Sequence, residues 1–392
     1  SDIKKEFYKI IEDSFSVEYL QKWLCDNLSF GSIDVNIMTK VDKTNFHKNT
    51  ELPVEYNDAH AALRGYAKSD LESSIIFSAG MNPRLYGYIA DFPDFYPDLN
   101  GNIKKKIVLK VSDYRSAIIQ GKFLAKKGLW VSEYRIESGL NCGGHAFATD
   151  GLLMGPILSE FRKNREDLIE ETYETLITAL SKLNKIIPKK KLNIKVTAQG
   201  GVGTSAEQEF LIDHYNLDSV GWGTPFLLVP EVTTVDDDTR KKLIAAKEND
   251  LYLSKVSPLG VPFNNLKNNS KDIERDDKIL NGKPGSSCPR RFLALSQQYD
   301  KQGICSASRK FQKIKIKESN NDSNISLNNV FEKTCLCVGL SAPAIINNNI
   351  DVKDSRAVSI CPGPNLAYFS NLMTLEEISH HIYGLKESDV RE

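Results

Sequence analysis

The chain has 392 residues, 41% apolar and 26% charged, with 51 basic residues against 51 acidic ones. Balanced charge excludes the electrostatic footprint that holds nucleic acid or an acidic membrane surface. No apolar run reads as long enough to cross a bilayer, and the opening Ser1-Asp2-Ile3-Lys4-Lys5-Glu6 has no signal-like apolar stretch, so a cytoplasmic protein without membrane partners is expected.

Helical periodicity opens the chain, from Ile3 to about Asn27, and a short apolar stretch follows at Ser32 to Met38. From there strands and helices alternate. Strands are predicted at Ser74 to Ser78, Lys106 to Val111, Leu129 to Ile136, Leu192 to Ala198 and Ser219 to Trp222. Helices are predicted over Asp113 to Lys127, Ser159 to Leu183, Ser205 to His214 and Asp237 to Lys247. This alternation implies βαβ units and a parallel sheet, closed into a barrel or left open. After Asn264 the chain turns polar, and Glu318 to Asn329, rich in Asn and Ser, reads as a loop.

Three motifs stand at predicted strand ends. Asn141-Cys142-Gly143-Gly144-His145-Ala146-Phe147 puts a histidine, which titrates near neutral pH, behind two glycines. Ala198-Gln199-Gly200-Gly201-Val202-Gly203 leads into a helix whose first amides would be unpaired, a setting that suits a phosphate; the bland reading is a tight turn. Val220-Gly221-Trp222-Gly223-Thr224-Pro225-Phe226 repeats a glycine-bearing end one unit later. Two such ends in succession match the phosphate site of a (β/α) barrel, built after its seventh and eighth strands.

In this order and spacing the motifs resemble the nitronate monooxygenase and enoyl-reductase-II family, clearest from Lys106 to Asn268. The resemblance implies a (β/α)8 TIM barrel over residues 1–269 and an added C-terminal extension over 270–392. It implies FMN as cofactor and, for the reductase kind, NAD(P)H as electron donor. Gly200, Gly201, Gly223 and Thr224 would hold the FMN phosphate, Gly143 and Gly144 would lie along the flavin, and Asn36 would touch it. His145 matches the base of nitronate oxidation. Cys142 stands where the family has a small residue, and reads as a redox-active thiol or a buried filler. The family's opening strand, of the kind Pro-Ile-x-x-Ala-Pro-Met, is not found. The barrel is therefore expected to be irregular at its first strand, or completed by a partner polypeptide.

Seven cysteines are present, and Cys288, Cys305, Cys335, Cys337 and Cys361 crowd the extension. In a reducing compartment crowding suggests metal, either an iron–sulfur cluster or zinc, ahead of disulfides; buried filler is the alternative. The expected function is an FMN-dependent oxidoreductase acting on a small molecule or an acyl thioester. The alternatives are an enoyl-thioester reductase, an iron–sulfur flavoprotein, and a non-catalytic barrel subunit of a larger complex.

Overall fold

The computed structural model describes residues 2–13, 16–27, 31–78, 80–138, 142–145, 153–320, 326–353, 355–386 and 391. Phe15 of the opening helical stretch and Asn141, Ala146 and Phe147 of the histidine motif lie outside them.

Strands β1 (Val35–Met38), β2 (Ser74–Ser78), β3 (Lys106–Val111), β4 (Val131–Glu137), β5 (Lys195–Gln199) and β6 (Ser219–Gly221) form one sheet in chain order, all parallel. Helices α3 (Asp58–Ala67), α4 (Pro83–Ile89), α5 (Tyr114–Ala125), α6 (Met154–Lys182) and α7 (Ser205–Tyr215) separate successive strands. The opening helical stretch is two helices, α1 (Asp2–Asp13) and α2 (Val17–Asn27). Of the helices between these strands, α3 and α4 were not anticipated. In α3, His60 and Tyr66 are buried beside Leu63, so the core face reads as polar in sequence. In α4 only seven residues are available, although its start is marked by Pro83 and by Asn82, whose side chain accepts the Leu85 amide at 3.1 Å.

The period of two along each strand divides the sheet into two faces. Ile75, Phe77, Ile107, Leu109, Tyr134, Ile136, Val196 and Ala198 are buried in the largest core, with Leu63, Leu85, Leu124 and Phe161 of the helices. The other face is polar: Glu133 accepts from Arg135 at 2.8 Å and from Thr197 at 2.7 Å, and Lys110 pairs with Glu137 at 2.7 Å. The sheet has two edges, β1 and β6, and among the described residues no strand joins them. Six strands are thus supplied here, where a (β/α)8 barrel has eight.

The hairpin β7 (Leu251–Ser254) and β8 (Phe263–Leu266) lies outside this sheet. Beyond it come α8 (Asp237–Ala245) before the hairpin, and α9 (Ser270–Leu280), α10 (Arg309–Ser319), α11 (Leu327–Phe331), α12 (Leu336–Gly339), α13 (Ala342–Asn347) and α14 (Leu375–Ile382) after it. A second core joins Leu228, Val229, Leu243 and Leu266 to Ile360, Leu366, Phe369, Met373 and Ile378, so residues on both sides of position 270 share one apolar interior. The expected loop at Glu318 to Asn329 is helical at both ends, within α10 and α11; residues 321–325 lie outside the described ones.

One exclusion needs correcting. The stretch Leu327–Asn347 does reach the length and mean hydropathy, 1.2, of a membrane span. It folds instead as the three short helices α11 to α13, with Leu336, Val338, Ala342 and Ile345 buried in the molecule.

One close approach tests this packing. A Cβ on Gly121 of α5 would stand 2.0 Å from the Tyr134 hydroxyl, which is buried and, among the described residues, without a hydrogen-bond partner. Gly121→Ala, normally a gain of about 0.5–1 kcal/mol inside a helix, should here cost about 1–3 kcal/mol in urea unfolding. Tyr134→Phe should be neutral or stabilising and should relieve that cost in the double variant; full additivity would contradict the contact.

Candidate active site

The parallel arrangement brings the C-terminal ends of all six strands to one edge, and a cavity of about 500 Å³ opens there. That volume lies in the range of small-molecule and cofactor sites, roughly 300–1,000 Å³. Its lining includes Asn36 from β1, Ser78 from β2, Lys110 from β3, Glu137 from β4, Gln199 from β5 with Gly200 just after it, and Gly223 and Thr224 after β6. Cys142, Gly143, Gly144 and His145 complete the β4 side, so the three motifs, far apart in sequence, meet at one site.

Asn36 accepts from the Ser78 hydroxyl at 3.0 Å, which orients its amide at the cavity rim. Gly144 and Gly200 adopt φ of 81° and 87°, conformations open to glycine but costly for other residues. Gly144 and Gly223 border open space, with nothing within 4 Å of a Cβ placed on either. Gly201 points away: it lines a neighbouring cavity with Lys247, Asn365, Tyr368 and Arg391. The amides just ahead of α7 are engaged by its first turn. Glu207 accepts from Gly203 N–H at 2.7 Å and from Thr204 N–H at 3.1 Å, closing a capping box. Gly200, Gly223 and Thr224 line the cavity at this edge.

Segment 142–145 is held from two sides. Asn264 of β8 donates its side-chain amide to Cys142 O at 2.6 Å and its backbone N–H to Gly144 O at 2.9 Å. On the other side the extension comes so close that a Cβ on Gly143 would lie 2.3 Å from Cys361 O. The next turn of that segment is anchored where Gly363 N–H donates to Thr224 Oγ1 at 3.0 Å.

His145 Nε2 lies 2.7 Å from Ser257 Oγ, and its ring meets Phe263 edge-on at 4.9 Å. Burial, with the charge of Lys40 adding to it, lowers its pKa to about 4. The imidazole is therefore neutral at pH 7. Cys142 donates to Gln199 O at 2.8 Å, and burial pushes its thiol up to about 12. Such a thiol stays protonated and unreactive at neutral pH, so the filler reading fits better than the redox one. Cys361 lines the same cavity, and burial pushes its thiol up to about 11. Of the other cysteines of the extension, Cys288 and Cys305 pack together with Leu293, Ala294 and Ala307. Among the described residues no group of three His, Cys, Asp or Glu is placed to hold a metal ion.

The sequence reading passed over the Lys110–Glu137 pair and Gln199, which form the polar floor of the cavity, and Ser257. The signal for the first three was available: each stands within one residue of a predicted strand's end, on the face opposite the apolar residues. Ser257 had none, because its partner stands 112 positions earlier.

No protein-family model matches the chain, and no curated protein matches it. Among solved structures, the enoyl reductase domain of MlnA from the macrolactin biosynthesis cluster of Bacillus amyloliquefaciens is 14% identical, over 98% of this chain and 84% of its own, at a TM-score of 0.49. FabK from Thermotoga maritima is 12% identical, over 95% and 81%, at 0.46. A nitroalkane oxidase from Streptomyces ansochromogenes is 11% identical, over 93% and 84%, at 0.41. At this level of similarity the chemistry has to be argued from the chain's own residues.

The depressed pKa of His145 has a consequence for stability. Between the folded value of about 4 and the ordinary value near 6.5, the unfolded chain binds the proton more readily. The stabilisation is full above pH 6.5 and is lost as pH falls toward 4. His145→Gln should therefore lose less stability between pH 7 and pH 5 than the parent does, measured by urea midpoint. An identical pH dependence would contradict the burial of a neutral imidazole.

Proposed function

We propose that the chain forms six strands of a (β/α)8 barrel, binds FMN in the cavity at their C-terminal ends, and acts as an oxidoreductase of the nitronate monooxygenase and enoyl-reductase-II kind. The observation that carries this reading is the meeting of Gly143-Gly144-His145, Gly200 and Gly223-Thr224 around one cavity of about 500 Å³. The residues present suit a flavin phosphate in part. Gly200, Gly223 and Thr224 line the cavity, whereas Gly201 lines a neighbouring one and the Gly203 and Thr204 amides are bonded to Glu207.

When bound, FMN supplies a two-electron carrier between donor and acceptor. The chain's own groups would do the rest. Gly200, Gly223 and Thr224 bind the phosphate, and Gly143 and Gly144 keep side chains out of the space beside the ring. His145, fixed by Ser257, faces the substrate as a neutral imidazole. For a nitroalkane it takes the α-proton, helped by the negative charge that develops on the substrate next to it. Its low proton affinity favours the second kind of chemistry, in which NAD(P)H is the reductant and an enoyl thioester the acceptor. There a neutral imidazole donates a hydrogen bond to the thioester carbonyl without itself being charged.

Two further strands are needed to close the sheet between β6 and β1. A partner polypeptide is our reading of their source, since among the described residues no further strand pairs with either edge.

The test is a visible spectrum of protein purified without oxygen, with the released flavin identified after denaturation. FMN should be found, and Gly223→Asp should abolish it while leaving the far-ultraviolet spectrum unchanged, because a side chain there enters only open space. Flavin at parental level in that variant would overturn the site. With flavin in place, oxygen uptake on nitroalkanes separates the first chemistry from NAD(P)H oxidation driven by an enoyl thioester. His145→Ala should lower the turnover of either at least tenfold and keep the flavin. In the parent, the acid limb of a His145-dependent step should lie near pH 4, not 6.5.

A further inference from the structure

Between the end of β5 and the start of α7 the chain reads Gly200-Gly201-Val202-Gly203, a run with little side chain to fix its path. Glycine loses more conformational freedom on folding than any other residue, so order in such a run has to be imposed from outside. Val202 and Gly203 are buried, and buried carbonyls have to be paired. Their partners come from far along the chain. Asn365 Nδ2 donates to Val202 O at 2.9 Å, and His381 Nε2 lies 2.7 Å from Gly203 O. A carbonyl oxygen only accepts, so His381 carries a hydrogen on Nε2. Asn365 is 7% exposed and His381 2%, so water does not compete for either contact. The ring of Tyr368 covers Gly203 so closely that a Cβ there would stand 2.3 Å from it.

The same parts of the extension also grip the end of β6. Two residues before Asn365, Gly363 N–H donates to Thr224 Oγ1 at 3.0 Å. The His381 ring meets Trp222, the residue before Gly223, edge-on at 5.8 Å. Trp222 Nε1 donates to Gln208 Oε1 at 2.6 Å, and Gln208 Nε2 donates to Ile382 O at 3.2 Å, which ties α7, α14 and the β6 end together. The paired register of β5 and β6 ends at Gln199 and Gly221. Beyond it, the turn Pro364–Tyr368 and α14 lie across both strand ends.

We propose that Asn365 and His381 are positioning residues for the flavin phosphate, a role that rests on the flavin reading of the cavity. They hold the run 200–203 against the end of β6 before any ligand enters. The ligand then does not have to order a glycine run itself, and this preorganisation appears as affinity. The group that depends on the spacing of these two strand ends is the phosphate. The ring side of the cavity is held separately, where Asn264 N–H donates to Gly144 O. Loss of His381 therefore weakens FMN and spares riboflavin, which lacks the phosphate.

The experiment compares the parent, His381→Ala and His381→Gln as full chains freed of flavin. Each is titrated with FMN and with riboflavin by calorimetry, and amide hydrogen exchange is followed over residues 200–204. In His381→Ala, FMN should bind at least about tenfold more weakly while riboflavin stays within about twofold of the parent. Exchange over 200–204 should quicken at least about tenfold. His381→Gln keeps a side-chain donor and should recover much of both. Should His381→Ala fail to fold, Asn365→Leu removes the other donor at similar volume and should give the same pattern. An equal loss of the two flavins would show a merely structural role and overturn the proposal. Parental preference for FMN, or parental exchange over 200–204, in the alanine or leucine variant would overturn it too. A parent that binds both flavins equally, or neither, overturns the flavin-phosphate reading itself, and the proposal with it.

Discussion

The structure turns on the near-contact between the backbone at Gly143 and the segment 361–363. No side chain fits at that crossing, since a Cβ on Gly143 would lie 2.3 Å from Cys361 O. Through it the end of β4 is locked to the extension, and through Gly363 and Thr224 the extension is locked to the end of β6. The cavity is therefore not walled by the sheet alone. Beyond the strand ends it is lined by Leu259, Val261, Phe263, Leu340 and Cys361, and the second core joins Leu228 to Ile378 across position 270.

Closing the cavity in this way sets its chemistry. Burial keeps His145, Cys142 and Cys361 in their uncharged forms, against the ordinary tendency of each to ionise. Lys110 is paired with Glu137, and Lys40 lines the same cavity. An anion entering from the glycine-bearing side meets backbone and not a like charge, with the Glu207 carboxylate already engaged by Gly203 and Thr204. A buried neutral histidine beside such a cavity is better suited to donating a hydrogen bond, or to taking a proton only while substrate is present, than to acting as a free base.

Much of this was legible in the sequence because it rests on local pattern. Runs such as Ile107-Val108-Leu109 and Val196-Thr197-Ala198 show strands buried on one face, and the glycine motifs mark where those strands end. What was not legible depends on distance along the chain. The capping role of Glu207 is local, yet it competes with the phosphate reading through geometry that spacing does not reveal. The turn of Gly201 toward a second cavity and the pairing of His145 with Ser257 need the folded backbone. Among the crowded cysteines, Cys361 parts from the rest because the Pro362-Gly363 turn carries it to Gly143, and no spacing rule encodes that. Among the described residues the sheet keeps two edges, β1 and β6, and an eight-stranded pattern cannot be counted from motifs at its later strands alone.

The most direct test of the account is calorimetric titration of flavin-free protein with FMN and, in parallel, with riboflavin. If Gly200, Gly223 and Thr224 form a phosphate cradle, FMN should bind with one-to-one stoichiometry and at least about tenfold more tightly than riboflavin. Equal affinity for the two, or uptake of neither, would contradict the central claim that these strand ends hold a flavin phosphate.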